Sequence, residues 1–165
     1  MVRRKGSKRM SLKRWLDGSM VLENPASHAD FCEFVAEWQV TETLAAKAMA
    51  LGCRFTEGGG FALRIISGGR TCEQQNRLRA AGRPAASCAR STHVLEGGRL
   101  ATGFDIATPT GVGPPGSPSA DLVWRTIGAL AQLEGLRWGG GSDILVSGVP
   151  TDPNHFDLGP REVTG

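Results

Sequence analysis

The sequence predicts an α+β domain, a small antiparallel sheet with flanking helices. Two stretches place apolar residues at helical spacing, and the strand candidates between them are short and bounded by glycine. Helix, strand, short helix, strand, helix and further short strands follow in an order that suits α+β rather than a repeat.

The first helix starts at Ser27-His28-Ala29-Asp30, a capping-box pattern with an acid three residues after the cap. Phe31, Phe34, Val35 and Trp38 then share one apolar face, which continues through Leu44, Ala48 and Met49 and stops at Gly52. His28 reads as a surface or capping residue. After the glycines at 58–60, Phe61 to Ile66 reads as a strand, with Ser67-Gly68-Gly69-Arg70-Thr71 as a tight exit. Cys72 to Ala81 is a short helix closed by Gly82, and 83–92 is a loop. Ala101 to Ala107 is a second strand, with Phe104 and Ile106 on one side and Asp105 on the other. A Pro- and Gly-rich loop follows over 108–119. Ser119 is placed to cap a helix from Ala120 to Glu134, with Leu122, Val123, Ile127, Leu130 and Ala131 inward and Gly135 as its end. A third strand includes Arg137 and Trp138, a fourth runs near Ile144 to Val146, and Asp152 to Leu158 is the last ordered piece.

At 165 residues the chain suits one domain and can bury a core without staples. Hydrophobic residues at 40% and charged residues at 21% are near globular averages, which excludes wholesale disorder. No apolar run is long enough to span a bilayer, and the glycines follow no collagen period. Seven basic residues and no acid lie between Met1 and Arg14. Of 19 basic residues, twelve then remain against 16 acidic ones, so the formal +3 belongs to the tail and the body is acidic. Residues 1–18 are therefore expected to be a basic disordered tail and 19–165 a single domain. The tail suits phosphate-rich polymers, nucleic acid or teichoic acid alike. The body lacks a basic, aromatic face, so nucleic acid is not the expected partner. Leu12, Trp15 and Leu16 are interrupted by charges, and no signal peptide is expected. Without an export signal the four cysteines are expected to be reduced thiols, with a Cys72–Cys88 bridge as the alternative because both flank one loop.

Two of the three histidines stand beside loop–strand patterns. His93, Asp105 and His155 offer imidazole nitrogens and a carboxylate, the donors of three-ligand catalytic zinc sites. From these residues alone, satisfied surface or core histidines remain the competing reading.

The motifs around them resemble the M15 family of zinc D,D-peptidases, which includes the VanX and VanY types and phage L-alanyl-D-glutamate endopeptidases. They are Ser67-Gly68-Gly69-Arg70, Glu73-Gln74-Gln75, Ser91-Thr92-His93, Gly103-Phe104-Asp105-Ile106, Gly135-Leu136-Arg137-Trp138-Gly139-Gly140 and Asp152-Pro153-Asn154-His155-Phe156, in the family's order over roughly residues 60–158. The joint match is specific, although each piece alone is not. The resemblance implies a hedgehog/DD-peptidase-like fold and one Zn²⁺ held by His93, Asp105 and His155. It implies that Asp152, three before His155, is the base that takes a proton from the attacking water and passes it to the leaving amine. On its own, Asp152-Pro153 reads as a turn. Arg70 would stabilise the developing oxyanion, and Ser91 and Gln75 would support substrate binding. Trp138 reads as core, and Asp157 as a group that orients an imidazole.

The spacing departs from the family. Asp105 stands twelve positions after His93, and the extra Gly-rich segment Val94 to Leu100 makes Glu96 a rival ligand. A hairpin can lengthen without moving its strands, and the Gly-x-Asp-Ile context favours Asp105. The expected function is therefore a monomeric zinc peptidase that is made without a signal peptide and acts on the peptidoglycan or muropeptides of the bacterial cell wall. It would be an L-alanyl-D-glutamate endopeptidase of phage endolysin type or a D-alanyl-D-alanine carboxypeptidase. The alternative is a non-catalytic zinc-containing binding or virion module with a basic tail. Arg70 and Asp152 weigh against that alternative, because a structural zinc site needs neither.

Overall fold

The computed structural model describes residues 20–22, 28–83, 86–95, 97–107, 111, 117–140 and 152–159. The basic tail, Glu96, Ser27 and the strand expected near Ile144 lie outside these residues. The elements run β1 (Met20–Leu22), α1 (His28–Trp38), α2 (Glu42–Glu57), β2 (Leu63–Ser67), α3 (Cys72–Ala80), a 3₁₀ turn (Cys88–Arg90), β3 (Gly103–Ile106), α4 (Pro118–Leu133), β4 (Arg137–Trp138) and β5 (His155–Asp157). The five strands form one sheet in the order β1-β2-β3-β5-β4, and every neighbouring pair is antiparallel. The fold is thus α+β, as expected. No described helix is long and apolar enough to cross a membrane.

One face of the sheet is the core. Leu63 and Ile65 of β2, Phe104 and Ile106 of β3 and Phe156 of β5 are buried there against Leu44, Met49 and Leu51 of α2 and Trp124, Ile127 and Ala131 of α4. Burial of such side chains from water is the main stabilising term, at about 1.5–3 kcal/mol for each large aliphatic or aromatic group. Phe104 and Phe156 sit opposite each other in register and stack with ring centroids 5.5 Å apart. Strand alternation then sends their neighbours Asp105, His155 and Asp157 away from that apolar layer.

The long first helix is in fact two. The apolar period carries across both because both bury their stripe in one core, but the chain turns at 39–41. Gln39 takes a left-handed φ of 49°, Val40 bridges Ala101, and Thr41 restarts the chain as an N-cap, accepting from Leu44 N at 3.2 Å. The freed carbonyls are used elsewhere. Trp38 O accepts from Gly69 N at 2.6 Å and Gln39 O from Ala101 N at 2.9 Å, so the elbow braces the two segments that carry the site. Gly52 is not an end but a buried interior position, and α2 runs on to Glu57.

The cap of α4 is also corrected. Ser117, not Ser119, accepts from Ala120 N, and Pro118 takes the first turn, where it needs no hydrogen-bond partner. Its buried stripe is Ala120, Trp124, Ile127, Gly128 and Ala131. Leu122 falls off that stripe and is 66% exposed, against the inward reading. Gly128 makes room for the indole of Trp138, which a Cβ there would strike.

Cys72 and Cys88 form a disulfide, so this pair is not reduced as the default reading held. Cys72 opens α3, where Thr71 and Gln74 close a full capping box, and Cys88 opens the 3₁₀ turn. Their Cα atoms stand 5.4 Å apart, within the bridging range. Cys32 and Cys53 are free thiols.

Candidate metal centre

Strand register builds most of the site. Across the sheet, Ser67 of β2 pairs with Asp105 of β3, and Asp105 with His155 of β5. Ser67 joins this row because a bulge between Ile65 and Ser67 inserts an extra residue and re-aims it. The next row holds Gly103, Asp157 and Arg137. Gly103 has to be glycine here, since a Cβ would run into Thr92 and the His155 ring.

His93 comes from the loop after the 3₁₀ turn. Ser91 Oγ accepts its backbone N–H at 3.3 Å. Its carbonyl accepts from Arg70 N at 2.9 Å, and Arg70 O accepts from Leu95 N at 2.9 Å. The loop is thereby laced to the exit of β2. The insertion leaves from Val94 and returns at Ala101, both buried, and turns at Gly97 and Gly98 with positive φ. After it the chain enters β3, where Asp105 pairs with His155.

Three donor atoms converge. His93 Nε2 lies 3.1 Å from His155 Nδ1 and 3.2 Å from Asp105 Oδ1, and His155 Nδ1 lies 3.0 Å from the same oxygen. This is the group of metal-competent residues found among those described. Ligands joined to one tetrahedral zinc by bonds of about 2.0–2.1 Å stand roughly 3.3 Å apart, so the triangle fits a single small ion.

The outer hydrogen bonds fix which ring nitrogens are available. His93 Nδ1 is 2.7 Å from Gly68 O. A carbonyl only accepts, so Nδ1 carries the proton and Nε2 offers its lone pair. His155 Nε2 is 3.0 Å from Asp157 Oδ2, and the ionised carboxylate likewise makes Nε2 the donor, so that Nδ1, 3.0 Å from Asp105 Oδ1, is the nitrogen that becomes a ligand once its proton leaves. Thr92 Oγ1 lies 3.3 Å from the same Nε2. Two lone pairs and a carboxylate oxygen aimed at one point repel unless positive charge sits among them, a proton or a cation.

The charges show the same balance. Burial raises the pKa of Asp105, but the imidazoles of His155 and His93 that face it outweigh burial and hold the carboxyl well below the usual range. For His155, burial pulls down, yet hydrogen bonds to Asp105 and Asp157 lift it to about 9. Burial also works against Asp157, and its bonds from His155 and Arg137 hold it at about 2.

Arg70 lies beside the triangle. Its Nη2 donates to Ser67 Oγ at 3.0 Å and to Asp105 Oδ2 at 3.4 Å, leaving Oδ1 of that carboxylate for the triangle. Burial lowers its pKa and Asp105 counters, while a guanidinium stays cationic in proteins. Asp152 N donates to Gly139 O at 3.0 Å, and Asp152 O accepts from His155 N at 3.1 Å. Trp138 Nε1 donates to Pro153 O at 2.9 Å and pins the same turn. The Asp152 side chain is exposed, but partial desolvation first and then the Asp105 charge push its carboxyl up from the ordinary value. It therefore titrates closer to neutral, the direction that makes a carboxylate a better base.

Ser91 and Gln75 lie in the frame. Ser91 is buried beneath His93. Gln75 is 3% exposed and donates from Nε2 to Ala86 O at 2.8 Å, tying α3 to the loop that leads to His93. Sequence reasoning missed Thr92, Ser67 and Arg137. Alternation at Gly103-Phe104-Asp105 and His155-Phe156-Asp157 is the signal that could have paired Asp157 with a residue on the neighbouring strand. No protein-family model matches the chain, and no curated protein matches it either.

Proposed function

We propose that this chain is a zinc-dependent peptidase that hydrolyses peptide bonds in peptidoglycan stem peptides, with a hedgehog/DD-peptidase-like fold. The observation that carries this reading is the convergence of His93 Nε2, His155 Nδ1 and Asp105 Oδ1 beside a cation and a second, raised carboxyl. Zinc held by these three residues supplies Lewis acidity toward a scissile carbonyl. The protein's own groups do the rest. Asp152 accepts a proton on its carboxylate from the attacking water and returns it to the leaving amine. Arg70 sets a fixed positive charge where negative charge develops on the carbonyl oxygen. Asp157 and the Gly68 carbonyl hold the two imidazoles in the tautomers that leave ligand nitrogens free.

Arg70 and Asp152 favour catalysis over a purely structural site, in which neither is needed. The order of motifs supports the peptidoglycan substrate and the choice between an L-alanyl-D-glutamate endopeptidase and a D-alanyl-D-alanine carboxypeptidase. The test is metal analysis of protein purified without chelator, combined with mass spectrometry of muropeptides after digestion. One zinc per chain and a new stem-peptide fragment are expected. Zinc without cleavage of any wall type would leave a binding module.

A further inference from the structure

Asp157 is 2% exposed, and its two oxygens have four lone-pair sites. All four are filled. Oδ1 accepts from Arg137 Nε at 2.7 Å and Gly159 N at 2.7 Å. Oδ2 accepts from Arg137 Nη2 at 2.8 Å and faces His155 Nε2 at 3.0 Å. Arg137 thus grips the carboxylate with both prongs, from the register position directly opposite on β4. The fork leaves Asp157 one orientation, in which Oδ2 is aimed at the far nitrogen of a proposed ligand.

We propose that Arg137 is a positioning residue for the metal centre: by fixing Asp157 it fixes the ring plane and tautomer of His155, and so sets how well Nδ1 binds metal. This rests on the metal reading above and extends it to a residue two contacts beyond the ligand His155. An ordinary surface ion pair would contribute little. This one differs because its acceptor is buried and its other contact is a ligand imidazole.

The test is the zinc affinity of the full chain, measured by competition with a chromogenic chelator. Partners that orient a ligand typically contribute about 10–100-fold in metal affinity. Arg137→Gln should therefore bind zinc about tenfold more weakly, the lower end for an indirect contact. Arg137→Lys keeps the charge but loses the fork, and should recover part of the loss. In an Asp157→Asn background, Arg137→Gln should add almost nothing, because the path from Arg137 to His155 is already cut. Unchanged zinc affinity in Arg137→Gln, even with a lower melting temperature, would reduce the residue to a structural brace and overturn the proposal. Should Arg137→Gln not fold, Arg137→Lys decides: a measurable loss supports the proposal, and wild-type affinity overturns it. Failure of the wild-type chain to bind zinc would remove the metal reading itself, whereas tight wild-type binding with an indifferent Arg137 removes this proposal alone.

Discussion

His93 presents Nε2 and His155 presents Nδ1 to each other at 3.1 Å, two different ring nitrogens aimed at one point beside Asp105 Oδ1. The difference follows from the outer bonds. His93 spends Nδ1 on the Gly68 carbonyl at 2.7 Å, and His155 spends Nε2 on Asp157 at 3.0 Å.

Both rings are therefore needed. His93→Ala and His155→Ala should each lose the zinc that wild type carries. Atomic absorption on chelator-free preparations checks this, and full metal in both variants would remove the site.

Asp105 closes the triangle, with its second oxygen held by Arg70. Asp105→Ala should weaken zinc binding strongly, and Glu96→Ala should leave it nearly unchanged. The reverse outcome in a chelator competition would hand the third position to the insertion.

Asp152→Asn keeps shape but cannot accept a proton. The variant should fold and bind zinc yet cleave muropeptides at least about a hundredfold more slowly, since general-base catalysis typically contributes 10²–10⁴-fold. Arg70→Ala should lose about 10²–10³-fold, as removal of one oxyanion donor does elsewhere. Wild-type turnover by metal-loaded Asp152→Asn would refute the assigned base.

Zinc binding should release a proton. Without metal, His155 loses basicity to burial but gains more from Asp105 and Asp157, and titrates at about 9. A ligand nitrogen must be deprotonated, so affinity should rise about tenfold per pH unit from neutral and flatten near that value. The same shift has a sign for stability. The folded pKa lies above the ordinary 6.5, so its contribution to the metal-free fold is complete below 6.5 and is lost as pH rises through about 9. A pH-independent zinc affinity would contradict this.

The disulfide joins residues 16 apart in sequence. Closing a loop of that size typically stabilises by about 3 kcal/mol. Replacing Cys72 and Cys88 by Ser should lower the urea midpoint accordingly, and an unmoved midpoint would show that the loop is held without it.

The three candidate ligands are legible from their motif contexts, Ser91-Thr92-His93, Gly103-Phe104-Asp105 and Asp152-Pro153-Asn154-His155, and alternation places Asp105 opposite Phe104 and Ile106. Phe104 and Phe156 are core residues, and alternation alone sends their polar neighbours Asp105, His155 and Asp157 to the opposite face. Other features depended on contacts distant in sequence. The elbow at Gln39 is stabilised by hydrogen bonds to Gly69 and Ala101, which helical periodicity cannot reveal. Arg137 looked like an ordinary strand residue until register set it opposite Asp157. Leu122 is apolar, yet its angular position on α4 turns it to solvent.

The most direct test of the central claim is X-ray absorption at the zinc edge of the loaded wild-type protein. Two imidazole nitrogens and oxygen scatterers at about 2.0–2.2 Å are expected for His93, His155 and Asp105, with no sulfur at about 2.3 Å. A sulfur shell would place the metal on cysteine and contradict the account.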